Sequence, residues 1–196
     1  MGKWNYRTGG IPDEMFIRGQ VPMTKSEVRA VTIAKARLRD TDVVWDIGAG
    51  TGSISIESAL AAVNGRIYAV EKDEEALDLI GSNIGLFGTD NVTVCPGAAP
   101  EALTGLPAPD RVFIGGSGGS LGEIINFVNR EIPVGGRVVV NAVVLETLTT
   151  AVNTLRSLEF EDLDITQVSI AKAAPVGSMH MFKSHNPVFV ISAEKR

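Results

Sequence analysis

Val43-Val44-Trp45-Asp46-Ile47-Gly48-Ala49-Gly50-Thr51-Gly52-Ser53-Ile54-Ser55 is the stretch whose reading decides the fold of this chain. Its first four residues are mostly β-branched or aromatic and predict a short strand. Glycines at 48, 50 and 52 predict a tight turn, and Ile54, Ile56 and Leu60 predict a helix over about 53–62. A strand, a glycine turn and a helix start bring a nucleotide-like ligand against bare backbone. Glycine has no Cβ and tolerates positive φ, so backbone amides can approach such a ligand closely.

The details narrow the ligand. A dinucleotide fingerprint would carry glycine at position 53, where this chain has Ser53, and no Gly-Lys-Ser/Thr ending supports a phosphate-cradling loop. Asp46 stands two residues before the first glycine. The pattern Asp46-x-Gly48-x-Gly50-x-Gly52 resembles motif I of the class I S-adenosylmethionine-dependent methyltransferases. That resemblance implies S-adenosyl-L-methionine as cofactor, with Asp46 serving its ammonium directly or through water. Backbone amides of Gly48, Ala49, Gly50, Thr51 and Gly52 would serve its carboxylate. A glycine turn in a Rossmann-like domain with another ligand is the alternative reading.

Outward from this stretch the chain alternates strand and helix. Residues 1–22 lack a sustained period and read as an ordered arm. Thr24-Lys25-Ser26-Glu27 has the capping-box form, so Thr24 is expected to cap a helix over about 25–38, and as a cap beside the glycine turn it could also touch the ligand. Further strands are expected at Arg66–Glu71, Asn91–Cys95, Arg111–Ile114 and Arg137–Val140, with helices at Asp73–Phe87, Leu121–Asn129 and around Leu145–Leu155. Asp164–Ala171 and Val188–Ser192 are expected to be two strands joined by a longer connection. The whole predicts an α/β fold, 1–196 as a single domain with a core over 23–196. Its sheet should be mostly parallel, covered by helices on both faces, with ligands at the carboxyl ends of the strands.

Composition sets limits. A net charge of −5 argues against a dedicated nucleic-acid binder. One cysteine, Cys95, excludes an intrachain disulfide, and with only His180 and His185 beside it no metal site is expected. No membrane span and no signal-peptide core are read, so a cytoplasmic protein is expected.

The remaining motifs fall at strand tips. Glu71, 19 residues after Gly52, closes the second strand, where a carboxylate can accept both ribose hydroxyls of an adenosyl group. Gly97-Ala98-Ala99 ends the third strand, where methyltransferases hold adenine; many relatives carry an acid at the position of Ala98, and this chain does not. Gly115-Gly116-Ser117-Gly118-Gly119 opens the fourth tip with amides and space but no general base, which suits a floor for a large flat substrate whose carboxylates the amides hold. Residues 165–186 hold Lys172, His180, Lys183 and His185 and no acid, so with Arg18 and Lys25 they are expected to ring the pocket mouth. Met179 and Met181, flanking His180, read as gap-filling packing residues.

Gly10-Ile11-Pro12-Asp13-Glu14, Val21-Pro22-Met23-Thr24, the Asp46–Gly52 turn, Gly97–Glu101, Gly115–Gly119 and Asn141-Ala142-Val143-Val144-Leu145-Glu146-Thr147 together resemble the decarboxylating cobalt-precorrin-6B (carbon-15) methyltransferases of cobalamin biosynthesis. The resemblance covers nearly the whole chain. It implies a tetrapyrrole substrate, a substrate-side place for Asn141, a seven-stranded class I methyltransferase sheet with an antiparallel C-terminal strand, and a homo-oligomer, a tetramer. Another class I methyltransferase, acting on isoaspartyl protein or RNA, and a non-catalytic S-adenosylmethionine-binding module are the rival readings.

Overall fold

The computed structural model describes residues 3–158 and 160–196. Strands β1 (Val43–Ile47), β4 (Arg111–Ile114) and β5 (Arg137–Ala142) are buried almost end to end, as near-continuous apolar strands must be when helices cover both faces. With β2 (Arg66–Glu71), β3 (Val92–Pro96), β6 (Glu161–Val168) and β9 (Val188–Glu194) they form a seven-stranded sheet in the order β3-β2-β1-β4-β5-β9-β6. The first five are parallel to one another, and β9 runs antiparallel between β5 and β6. Strand order reverses between β1 and β4, the place where open α/β sheets bind ligands.

Alternation along the strands divides the core. Trp45, Ile47, Val112 and Ile114 face α4 (Leu121–Glu131) and α5 (Leu145–Ser157). Val44, Ile67, Phe113 and Val139 face α1 (Ser26–Ala36), α2 (Ser53–Ala61) and α3 (Glu74–Phe87). Each such fully buried side chain contributes about 1.5–3 kcal/mol relative to exposure. Helix α3 begins and ends where expected: the Asp73 carboxylate accepts from the Ala76 amide at 3.0 Å, and Gly88 closes the helix at φ 66°.

Helix α1 begins differently. The side chains of Thr24 and Glu27 form no capping box; the Asp13 carboxylate of the arm accepts from the Ser26 amide at 2.9 Å instead. An ionised acceptor at a helix N-terminus outcompetes a hydroxyl, and tertiary folding brings one there. Glu27 turns away to Lys172, 2.7 Å distant.

The arm is a third packed layer. Ile11 and Phe16 are buried against Ile56 and Phe87, and a 3-10 turn spans Asp13–Met15. Buried Arg29 meets buried Glu57 at 2.6 Å and donates to the carbonyls of Ile11 and Thr24, while Glu57 also accepts from the amides of Gly10 and Ile11 at 2.7 and 2.9 Å. The longer connection between β6 and β9 is itself an antiparallel pair outside the main sheet, β7 (Ala171–Val176) and β8 (Met179–Ser184). Among the described residues no helix is long and apolar enough to cross a membrane.

Candidate active site

The carboxyl ends of β1, β2, β3, β4 and β5 open onto one cavity of about 740 Å³, within the range of small-molecule sites. Its floor is the contact of two glycine turns. A Cβ added to Gly48 (φ +70°) would lie 2.5–2.7 Å from backbone atoms of Gly116, so the β1 and β4 tips touch through main chain alone. Its roof is the arm: a Cβ at Gly50 would meet the Pro22 carbonyl at 3.2 Å, and the Arg29–Glu57 pair holds Val21–Thr24 in that position.

Most of the first turn's amides already have acceptors. Those of Gly48 and Ala49 donate to the Val70 carbonyl, Gly50 to Glu71 Oε2 at 2.9 Å, and Gly52 to Ala49. For these amides to serve a ligand carboxylate, as expected, existing bonds would have to be shared or exchanged. Thr51 lines the cavity, and its hydroxyl is buried without a hydrogen-bond partner among the described residues. A buried orphan of this kind marks a place where a polar group belongs.

Asp46 is buried, accepts from the Ser55 hydroxyl at 2.5 Å, and reaches the cavity. Burial pushes its carboxyl up from 3.8 to about 6; the Ser55 bonds oppose the rise and the negative charge of Glu71 adds to it. A cation placed beside Asp46 would favour its ionised form. Glu71 accepts from Gly50 through Oε2 and from the amides of Lys72 and Asp73 through Oε1, at 2.8 and 3.1 Å. With about four acceptor positions on a carboxylate, Oε2 retains one for an incoming hydroxyl. Accepting both hydroxyls of a ribose requires one backbone bond to give way.

Thr24, Lys25, Gly97, Ala98, Ala99, Gly115, Gly116, Ser117, Gly118 and Asn141 also line the cavity. The Asn141 carboxamide is backed by the Thr32 hydroxyl at 3.0 Å. Gly52 lies behind the wall, capping α2 against Ile80, and Gly119 lies outside the lining. The basic segment divides. His185 lines the cavity at the root of the hairpin, whereas Arg18, Lys172, His180 and Lys183 do not. Lys172 is drawn off by Glu27, which raises its pKa and, in return, lowers that of Glu27 against the opposing effect of burial. Met179 and Met181 fill no gap; they are exposed on the hairpin.

Sequence reasoning missed Lys72, Asp73 and Glu75 as lining residues, and Arg29 and Glu57 as the support of the roof. A signal for Glu57 existed: it is a lone charge in the otherwise small and apolar run Ser53-Ile54-Ser55-Ile56-Glu57-Ser58-Ala59.

Residues 14–195 match the family model described as the precorrin methyltransferase domain. The chain belongs to the precorrin methyltransferase family. Within that family it is 41% identical over 197 residues to a probable cobalt-precorrin-6B C(15)-methyltransferase (decarboxylating) of Saccharolobus solfataricus, covering 98% of this chain and 99% of the relative. It is 40% identical over 184 residues to the cobalt-precorrin-6B C(15)-methyltransferase (decarboxylating) of Salmonella typhimurium, covering 93% and 95%. A solved precorrin-6y C5,15-methyltransferase from Geobacter metallireducens superposes with a TM-score of 0.92 at 46% identity, over 97% of this chain and all of that one. Family membership and the strand order agree on a class I methyltransferase fold.

Proposed function

We propose that this protein is the S-adenosylmethionine-dependent enzyme that methylates carbon 15 of cobalt-precorrin-6B and removes carbon dioxide from an acetate side chain, in cobalamin biosynthesis. The observation that carries this reading is the one cavity. It joins residues of a cofactor type (Asp46, Thr51, Glu71) to a bare glycine tip (Gly115–Gly118), in a chain about 40% identical to enzymes named for that reaction.

S-adenosylmethionine fits the residues present, and when bound it supplies an electrophilic methyl group. Asp46 would hold the ammonium end, and the orphan hydroxyl of Thr51 gains a partner in the amino-acid portion. Glu71 would take the sugar, and Gly97, Ala98 and Ala99 the adenine, with no acid at Ala98 to meet the exocyclic amine. On the substrate side Gly115–Gly118 leave room for a macrocycle, flanked by Lys25 and Asn141. No side chain at the β4 tip is a strong base, and none is required where the attacking atom is an electron-rich carbon. Holding the two partners in line is the larger share of the protein's work; well-oriented partners can save on the order of 7–11 kcal/mol. The protein is further proposed to be cytoplasmic, which cell fractionation tests, and a homotetramer, which light scattering tests.

Incubation of the protein with S-adenosylmethionine and the tetrapyrrole, followed by mass spectrometry, tests the function directly. One added methyl group together with one lost carbon dioxide is expected. A product altered in neither respect refutes the assignment.

A further inference from the structure

A polycarboxylate substrate entering a chain of net charge −5 must find a cation with no carboxylate of its own. Several basic groups do not qualify: Arg29, Lys35, Arg37, Arg111, Arg137 and Lys172 each lie within 4.0 Å of an acid. Three basic residues line the cavity, Lys25, Lys72 and His185. Lys25 faces the Asp13 carboxylate at 3.5 Å. Lys72 has no ion-pair partner among the described residues, although Asp46, Glu71, Asp73 and Glu75 line the same cavity.

The reason lies in where the other charges are engaged. Glu71 accepts three backbone amides, Asp73 caps α3, and Glu75 accepts from the Gln20 amide at 2.9 Å, so each neighbouring acid is already engaged by main-chain donors. The Lys72 ammonium reaches instead from the tip of β2 to the tip of β4, where it would lie 3.2 Å from a Cβ placed on Gly118. That is the substrate side of the cavity under the reading above. The ammonium arrives there exposed and with its charge uncommitted.

We propose that Lys72 is the residue that grips a side-chain carboxylate of the tetrapyrrole and so determines affinity for it, a role that rests on the assignment of a tetrapyrrole substrate. The ammonium donates a charge-assisted hydrogen bond to the carboxylate beside Gly118. Lys72 breaks no internal ion pair to do so, and the charge-assisted bond has only the hydration and freedom of an exposed side chain to offset. This relocates the cationic contact from the hairpin, where the sequence pointed, to the strand tip next to the cofactor residues.

Steady-state kinetics of the full-length Lys72→Met and Lys72→Arg variants test it, with calorimetry of S-adenosylhomocysteine binding alongside. Methionine keeps the stem and removes the charge. Lys72→Met is expected to raise KM for the tetrapyrrole about tenfold, while S-adenosylhomocysteine affinity stays within about twofold. Lys72→Arg is expected to recover most of the loss. Added salt should raise KM more steeply in the unaltered protein than in Lys72→Met. An unchanged KM in Lys72→Met overturns the proposal, as does a parallel loss of S-adenosylhomocysteine affinity or a lowered Tm with normal KM, the mark of a mere brace for the Gly118 loop. Lack of tetrapyrrole turnover by the unaltered protein is a separate result that refutes the assigned reaction and this role with it.

Discussion

The β1–β4 tip and the β7–β8 hairpin were both expected to build the site, and they behave as opposites. At the tip, Gly48 and Gly116 meet main chain to main chain, with no room for a Cβ on Gly48. On the hairpin, Met179, Met181 and Phe182 are exposed, and Lys172 lies directly across from Lys183. Like charges facing each other across two strands are unfavourable, and Glu27 relieves the pair by taking Lys172. A glycine motif states a backbone requirement that nothing distant can reassign. A lysine states only a charge, and whichever acid folding brings nearest claims it.

The sharpest way to break this contrast is Gly48→Ala. Its Cβ would collide with rigid backbone at 2.5–2.7 Å from a residue already at positive φ, so a loss of about 2–4 kcal/mol in unfolding free energy is expected. Binding of S-adenosylhomocysteine should vanish with it; urea unfolding and calorimetry measure both. Retained binding would mean that the two tips do not need to touch. Next in size, Glu71→Gln replaces a carboxylate that accepts from three amides, and a roughly tenfold or greater loss of S-adenosylhomocysteine affinity is expected.

Asp46 gives a pH test of the same tip. Its carboxyl is raised to about 6 by burial, so the folded protein holds that proton more tightly than the unfolded chain does. Stability from this group is therefore full below the ordinary carboxylate value near 4. It declines as pH rises from there through about 6. A ligand bearing an ammonium reverses the preference. S-adenosylhomocysteine affinity is expected to rise about tenfold between pH 5 and 7, and Asp46→Asn should flatten that rise. Titration calorimetry across the range decides it.

The smallest effects belong to the hairpin. Glu27→Gln removes a half-exposed ion pair and should cost no more than about 1 kcal/mol of stability. Lys183→Ala, outside the cavity lining, is expected to leave tetrapyrrole KM within about twofold. A large rise in that KM would return the hairpin to the substrate site and make it the equal of the glycine tip.

Much of the fold was legible beforehand because its signals are local. Strand β4, strand β2 and the start of α4 lie where the apolar pattern put them, and α3 ends at Gly88 as its glycine implied. The first helix stops two residues short of its expected C-terminal end, since Arg37 adopts the left-handed conformation (φ 54°) that usually asks for glycine or asparagine. Its cap was misread for another reason. Thr24 and Glu27 satisfy a local rule, but Asp13 and Lys172 reach the same groups from elsewhere in the chain and bind them more strongly.

By itself the sequence determined the strand–turn–helix at Asp46–Ser55, the acid at Glu71, the glycine tip at Gly115–Gly119 and their common end of a parallel sheet. Glycine conformation and apolar periodicity act within a few residues, so no distant contact was needed to read them. Tertiary structure alone decided that Arg29 and Glu57, 28 residues apart, hold the arm over the cavity, that most of the turn's amides are already engaged, and that Lys72 rather than Lys172 faces the cavity with no ion-pair partner among the described residues. Charge and hydrogen-bond partners depend on which groups come within a few ångströms, and that is set only when the chain has closed.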